Sequence, residues 1–97
     1  MYKSRLQNEA TDKLFEAILS LNDKEECYRF FEDVCTVGEI SAMSQRLQVA
    51  ALLSEGDTFN SIAEKTGASS ATISRVNKCL TYGADGYTLV LDKTKNH

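Results

Sequence analysis

The stretch FNSIAEKTGASSATISRVNKCL, residues 59–80, decides the fold. It reads as two short helices joined by a tight turn at Thr66-Gly67-Ala68-Ser69. Phe59, Ile62 and Ala63 recur at helical spacing and give the first helix one apolar face. Ile73, Val76 and Leu80 do the same for the second. Gly67 stands where the chain must turn sharply, and a residue without Cβ tolerates positive φ there. Ser69 or Ser70 can then cap the second helix by accepting a backbone N–H. Two helices joined in this way form a helix-turn-helix, a frame that lays its second helix in the DNA major groove.

The residues before this stretch supply three more helices. Ala10, Leu14, Phe15, Ile18 and Leu21 make one stripe and predict a helix over about 6–21. Asp23 can cap a second helix over 24–35, whose apolar side is Cys27, Phe30, Phe31 and Val34. Thr36 and Glu39 have the spacing of a capping box and open a third helix that runs to about Glu55. Ile40, Met43, Leu47, Ala50 and Leu52 or Leu53 form its buried stripe, and Val49 to Leu53 is apolar most of the way round. A helix of that kind is covered on more than one side, and in a small chain a partner subunit is a natural cover. Gly56 stops this helix, and Gly83 ends the helix-turn-helix. Beyond it, Asp85-Gly86 is a turn signal, and Tyr87 to Leu91 is rich in strand formers. A short extended tail is expected, packed on the helices, paired with a symmetry mate or poorly ordered. Residues 93–97 look like a solvated end.

Composition narrows the function class. Ninety-seven residues suggest one domain. Residues 1–56 then serve as dimerisation helices, 57–83 as the helix-turn-helix and 84–97 as the tail. No apolar run approaches the ~20 residues that span a bilayer, and Met1-Tyr2-Lys3-Ser4-Arg5 lacks the apolar region of a signal peptide. A cytoplasmic protein with no membrane association is the expectation. Cys27, Cys35 and Cys79 form no CxxC pair, and the sole histidine is His97, so no zinc-ligand spacing is present and no metal is expected. The cysteines read as buried or half-buried thiols. No internal His, Cys–His pair, phosphate-cradling glycine loop or carboxylate pair points to catalysis, so no catalytic residue and no enzyme is expected.

The net charge of −3 runs against DNA binding, which needs Lys and Arg to neutralise phosphate. The distribution softens this. Residues 1–56 hold 6 basic and 10 acidic side chains, whereas residues 57–97 hold 5 basic and 4 acidic ones. Between Ser69 and Gly83 stand Arg75 and Lys78 and no acid. In a helix-turn-helix the first turns of the second helix approach base edges, and these positions hold Ser70, Ala71, Ser74 and Arg75. Ala71 can touch a thymine methyl, Ser70 and Ser74 can donate or accept, and Arg75 can address guanine O6 and N7 together. Ser69, Thr72, Asn77 and Lys78 are better placed for phosphates. The bland alternative is an ordinary helical hairpin with a polar surface, in which Arg75 is a plain or ion-paired surface residue.

The segment Ser61 to Val76 resembles the DNA-reading segment of many bacterial repressors. With the helix carrying Met43-Ser44-Gln45-Arg46-Leu47 before it and further helices upstream, nearly the whole chain resembles the tryptophan-repressor superfamily, in particular its YerC/YecD-like branch. The resemblance implies an all-α fold, an intertwined helical homodimer carrying a helix-turn-helix, with double-stranded DNA as partner. It also implies a corepressor site: Arg46 and Arg75 match the arginines flanking the ligand, and Thr36 falls at a ligand-contacting threonine. Two positions depart. The family's glycine after the recognition-helix arginine is Val76 here, and its ligand-binding serine is Cys79. No resident cofactor is therefore expected; an amino-acid corepressor such as tryptophan stays an open alternative, and the effector is not named by the sequence. Arg46 has a structural alternative, pairing with Glu39, Glu55 or a partner's acid. The expected function is a sequence-specific DNA-binding transcriptional regulator of repressor type, a homodimer on a palindromic operator. The alternative is a dimeric protein-interaction module whose helix-turn-helix no longer reads DNA.

Overall fold

Asn8 and Asp23 begin the first two helices through their side chains. Asn8 Oδ1 accepts the Thr11 N–H at 2.8 Å, and Asp23 Oδ1 accepts the Glu26 N–H at 2.9 Å. The resulting helices are α1 (Glu9–Leu19) and α2 (Lys24–Val34). The computed structural model describes residues 2–95, and its regular elements are all helices. The others are α3 (Val37–Ser54), α4 (Phe59–Thr66), α5 (Ser70–Tyr82) and α6 (Gly86–Thr94). Among the described residues no helix is long and apolar enough to cross a membrane. The chain divides into two compact units, residues 1–37 and 38–97.

In the amino-terminal unit, α1 starts three residues later than its apolar stripe suggested, because Asn8 takes the capping position. The Glu26 carboxylate accepts the Asn22 N–H, closing the α1–α2 connection, and Arg29 pairs with Glu25 one turn away. Phe30 and Phe31 meet edge to face with ring centroids 5.3 Å apart. Among its described residues this unit buries none, and Leu14, Phe15, Leu19, Tyr28 and Val34 are exposed.

The carboxy-terminal unit holds the core. Val49 and Ala50 of α3, Ile62 of α4, Ala68 of the turn, and Ile73 and Val76 of α5 are buried together. The helix-turn-helix is therefore built onto the second half of α3. Gly56 ends α3 at φ 85°, where its own N–H reaches the Leu53 carbonyl and the Asp57 N–H reaches that of Leu52. This reciprocal pair satisfies two carbonyls that a helix end leaves open. The expected α3 stripe holds only in part: Ala50 is buried and Leu52 and Leu53 pack on the core, while Met43 and Leu47 are 46% and 42% exposed. Val49, outside that stripe, is fully buried.

The expected extended tail is not what forms. Residues 86–94 are the helix α6. Tyr87 and Leu91, four apart, pack on the core from one helical face. Strand spacing would have added Leu89 to that face, yet Leu89 is 57% exposed. Strand propensity is weak where no neighbour offers an edge, whereas a helix satisfies its own backbone hydrogen bonds. Asp85, at φ 64°, makes the turn into it. The expectation for residues 96 and 97, His97 included, lies outside the described residues.

Candidate nucleic-acid interface

The turn between α4 and α5 is held by local chemistry. Thr58 Oγ1 caps α4 by accepting the Ser61 N–H at 3.1 Å. Gly67 closes α4 at φ 73°, ψ 6°, with its N–H on the Ala63 carbonyl at 2.9 Å. A Cβ at Gly67 would meet nothing within 4 Å, so the requirement for glycine is the left-handed backbone and not space. The Thr66 hydroxyl donates to the Ile62 carbonyl at 2.7 Å and accepts the Ala68 N–H at 3.1 Å. Ser69 Oγ then caps α5, accepting the Thr72 N–H at 3.1 Å.

These caps fix which way α5 faces. Ile73 and Val76 point into the core, each 1% exposed, and Leu80 packs beside them. Ser70, Ala71, Ser74, Arg75, Asn77 and Lys78 are all exposed. At the ~100° per residue of an α-helix they share an arc of roughly 160°. Thr72 stands at the edge, half-buried. Ser69 Oγ accepts the capping N–H and its own O–H donates to Thr72 Oγ1 at 3.1 Å. The exposed arc carries Arg75 and Lys78 and no carboxylate. Neither cation makes an ion pair within 4.0 Å among the described residues, whose pairs are Arg29–Glu25 and Lys65–Asp57. The partial positive charge at the amino terminus of α5 adds to this field.

Arg46 and Arg75 line one small cleft with Ala42, Gln45 and Thr72, about 100 Å³ in volume. Thr36 belongs to the other unit, just ahead of α3. Cys79 lines a different, mainly apolar cleft with Gly83, Ala84, Gly86, Tyr87 and Val90. Of the cysteines, only Cys35 is half-buried as expected; Cys27 and Cys79 are exposed. Among the described residues no cluster of His, Cys, Asp and Glu could hold a metal ion. Gln45 was not singled out from the sequence. Its Nε2 donates to the Thr66 carbonyl at 3.2 Å, joining α3 to the turn. The signal was its spacing: Ala42, Gln45 and Arg46 lie three and four apart and share one helix face.

At the foot of α4, Asp57 accepts from Lys65 Nζ at 2.9 Å and from Ser61 Oγ at 3.2 Å. The Lys65 ammonium holds the Asp57 carboxyl below its ordinary value of 3.8, partial burial opposes this, and the bonds from Ser61 and the Thr58 N–H add to the lowering.

The family pattern described as Trp repressor protein matches residues 9–95. A Bacillus subtilis (strain 168) protein described as uncharacterized protein YerC is 54% identical over 95 residues, covering 98% of this chain and 91% of its own. The crystal structure of a TrpR-like protein from Eubacterium eligens ATCC 27750 superposes with a TM-score of 0.90 at 56% identity, covering 94% of each chain. A Staphylococcus aureus chain, solved under a provisional Trp repressor designation, gives a TM-score of 0.90 at 50% identity over 96% of this chain and 93% of its own.

Proposed function

The chain belongs to the Trp repressor family, and on that premise we propose that it is a sequence-specific DNA-binding transcriptional regulator that works as a homodimer on a two-fold symmetric operator. The observation that carries this reading is the division of α5 into a buried apolar face and an exposed, acid-free face bearing Arg75 and Lys78. Ser70, Ala71, Ser74 and Arg75 read base edges; Asn77, Lys78, Thr72 and the capped Ser69 meet the backbone. The dimer is supported by an amino-terminal unit that exposes its apolar residues and by the exposed Met43 and Leu47 of α3. A regulator of this kind acts where the chromosome is, in the cytoplasm of a bacterial cell.

Tryptophan is not the effector in this reading. The cleft between Arg46 and Arg75, about 100 Å³, is smaller than the ~150 Å³ cavity that accepts a benzene ring elsewhere and well short of the ~300 Å³ where ligand pockets begin. Val76, where the family has glycine, is filled into the core. The small cleft and Val76 together favour DNA binding that proceeds without tryptophan.

The net charge of −3 favours one competing reading, a dimeric interaction module that has lost DNA reading. Salt dependence separates the two. Lys78 is the backbone-facing cation of each α5 and gives two phosphate contacts per dimer, so log K should fall against log salt with a slope of roughly −2. Arg75→Ala should weaken binding to the preferred duplex by about 1–3 kcal/mol if the guanidinium contacts a base in the bidentate manner. Equal, weak binding to every duplex, unmoved by that substitution, would support the interaction module instead.

A further inference from the structure

Gln45 is the residue through which α3 reaches the turn of the helix-turn-helix. Its Nε2 donates to the carbonyl of Thr66, the last residue of α4, from a partly buried position 21 residues earlier in the chain. A carbonyl can only accept, so the amide must present its nitrogen there. The Thr66 carbonyl is one of those a helix end leaves without a partner inside the helix. The same residue's hydroxyl ties Ile62 to Ala68, and the next residue, Gly67, sets the left-handed turn. Gln45 therefore grips the peptide on which the direction of α5 depends. It does so beside Arg46, Thr72 and Arg75, with which it lines one cleft, so its amide stands next to the exposed face of α5.

We propose that Gln45 is a positioning residue for DNA reading: its hydrogen bond to Thr66 fixes the turn, and with it the amino-terminal turns of α5, against α3. The inference rests on the DNA-reading function proposed above. Packing of Ile73 and Val76 holds α5 on the core through apolar contact, which is non-directional. The bond from Gln45 to Thr66 is directional and sets the turn before DNA arrives, and pre-organisation lowers the cost of binding.

The test uses the 97-residue chain and Gln45→Met, which keeps length and volume and removes the donor. In the wild type, through-hydrogen-bond NMR coupling between Gln45 Nε2 and the Thr66 carbonyl carbon should be present; its absence overturns the proposal whatever the variant does. In Gln45→Met, exchange of the Gly67 and Ala68 amide hydrogens should quicken by about two- to tenfold, the span that one neutral hydrogen bond converts to. Affinity of the active fraction for its preferred duplex should fall by a similar factor, with less preference over a scrambled duplex and the same salt slope. A merely structural role would lower the melting temperature and the active fraction and leave the affinity of that fraction alone. Unchanged exchange at Gly67 and Ala68, or quicker exchange with unchanged preference, overturns the proposal. If the wild type prefers no duplex, the DNA reading has failed instead, and the exchange rates alone then decide whether Gln45 holds the turn.

Discussion

Replacing Ile73 by Ala, and separately its neighbour Ser74 by Ala, asks whether α5 faces the way its caps imply. Ile73 is 1% exposed and sits in a core of six buried residues. The Ile73→Ala change removes three carbons, worth ~0.8 kcal/mol each on burial, or about 2.4 kcal/mol. Partial collapse around the void adds to this, so about 3 kcal/mol is expected, within the 2–5 kcal/mol seen for such truncations. At ~0.05–0.15 kcal/mol per residue, a chain of 97 residues has about 5–15 kcal/mol in all, so one substitution removes a large share. Ser74 is exposed, and its replacement by a better helix former should move stability by less than ~0.5 kcal/mol while weakening duplex binding. Urea unfolding followed by circular dichroism, at fixed protein concentration, reads both. The midpoint should drop for Ile73→Ala with little change in slope and stay put for Ser74→Ala. A cost under 1 kcal/mol for Ile73→Ala, or over 1 kcal/mol for Ser74→Ala, would refute the two-faced assignment of α5.

Other expectations follow from single sites. Gly83→Ala should cost about 1–3 kcal/mol in the same unfolding assay, because its Cβ would fall on the Cys79 backbone carbonyl, which cannot swing away. Asp57→Asn should lower the melting temperature at neutral pH. Because the folded Asp57 pKa lies below the unfolded value of 3.8, the stabilisation is complete above 3.8 and is lost as pH falls through the folded pKa. The gap between wild type and Asp57→Asn, followed by thermal melts, should thus be constant from pH 7 to 5 and narrow below 3.8. Lys78→Ala should weaken all duplexes alike and reduce the salt slope by about 1 per subunit, measured by titration across salt concentrations.

Much of the carboxy-terminal unit was legible because its signals were local. Gly67, the Ser69 cap and the spacing of Ile62, Ile73 and Val76 each encode their own conformation, and they agree with one another. Phe59 was less so: it shares the apolar face of α4 on spacing, yet is 41% exposed at the helix end. The tail misled because Tyr87 to Leu91 has strand composition, and only contact with a core distant in sequence selects the helix. Met43 and Leu47 follow the α3 stripe in sequence, but within one chain the core reaches only the second half of that helix. Of the site, the exposed arc of α5 could be read from helical periodicity. The spacing of Ala42, Gln45 and Arg46 puts Gln45 on one face of α3, but its partner is a backbone carbonyl, which no side chain at Thr66 announces.

Selection of bound duplexes from a random pool, with and without tryptophan, asks whether the exposed face of α5 reads DNA. The wild type should enrich a two-fold symmetric sequence with half-sites centred about 10 base pairs apart, unaffected by tryptophan and lost in a Ser70→Ala, Arg75→Ala double variant that still folds. A pool that emerges unenriched, or one that the double variant enriches equally well, would contradict DNA reading by that face.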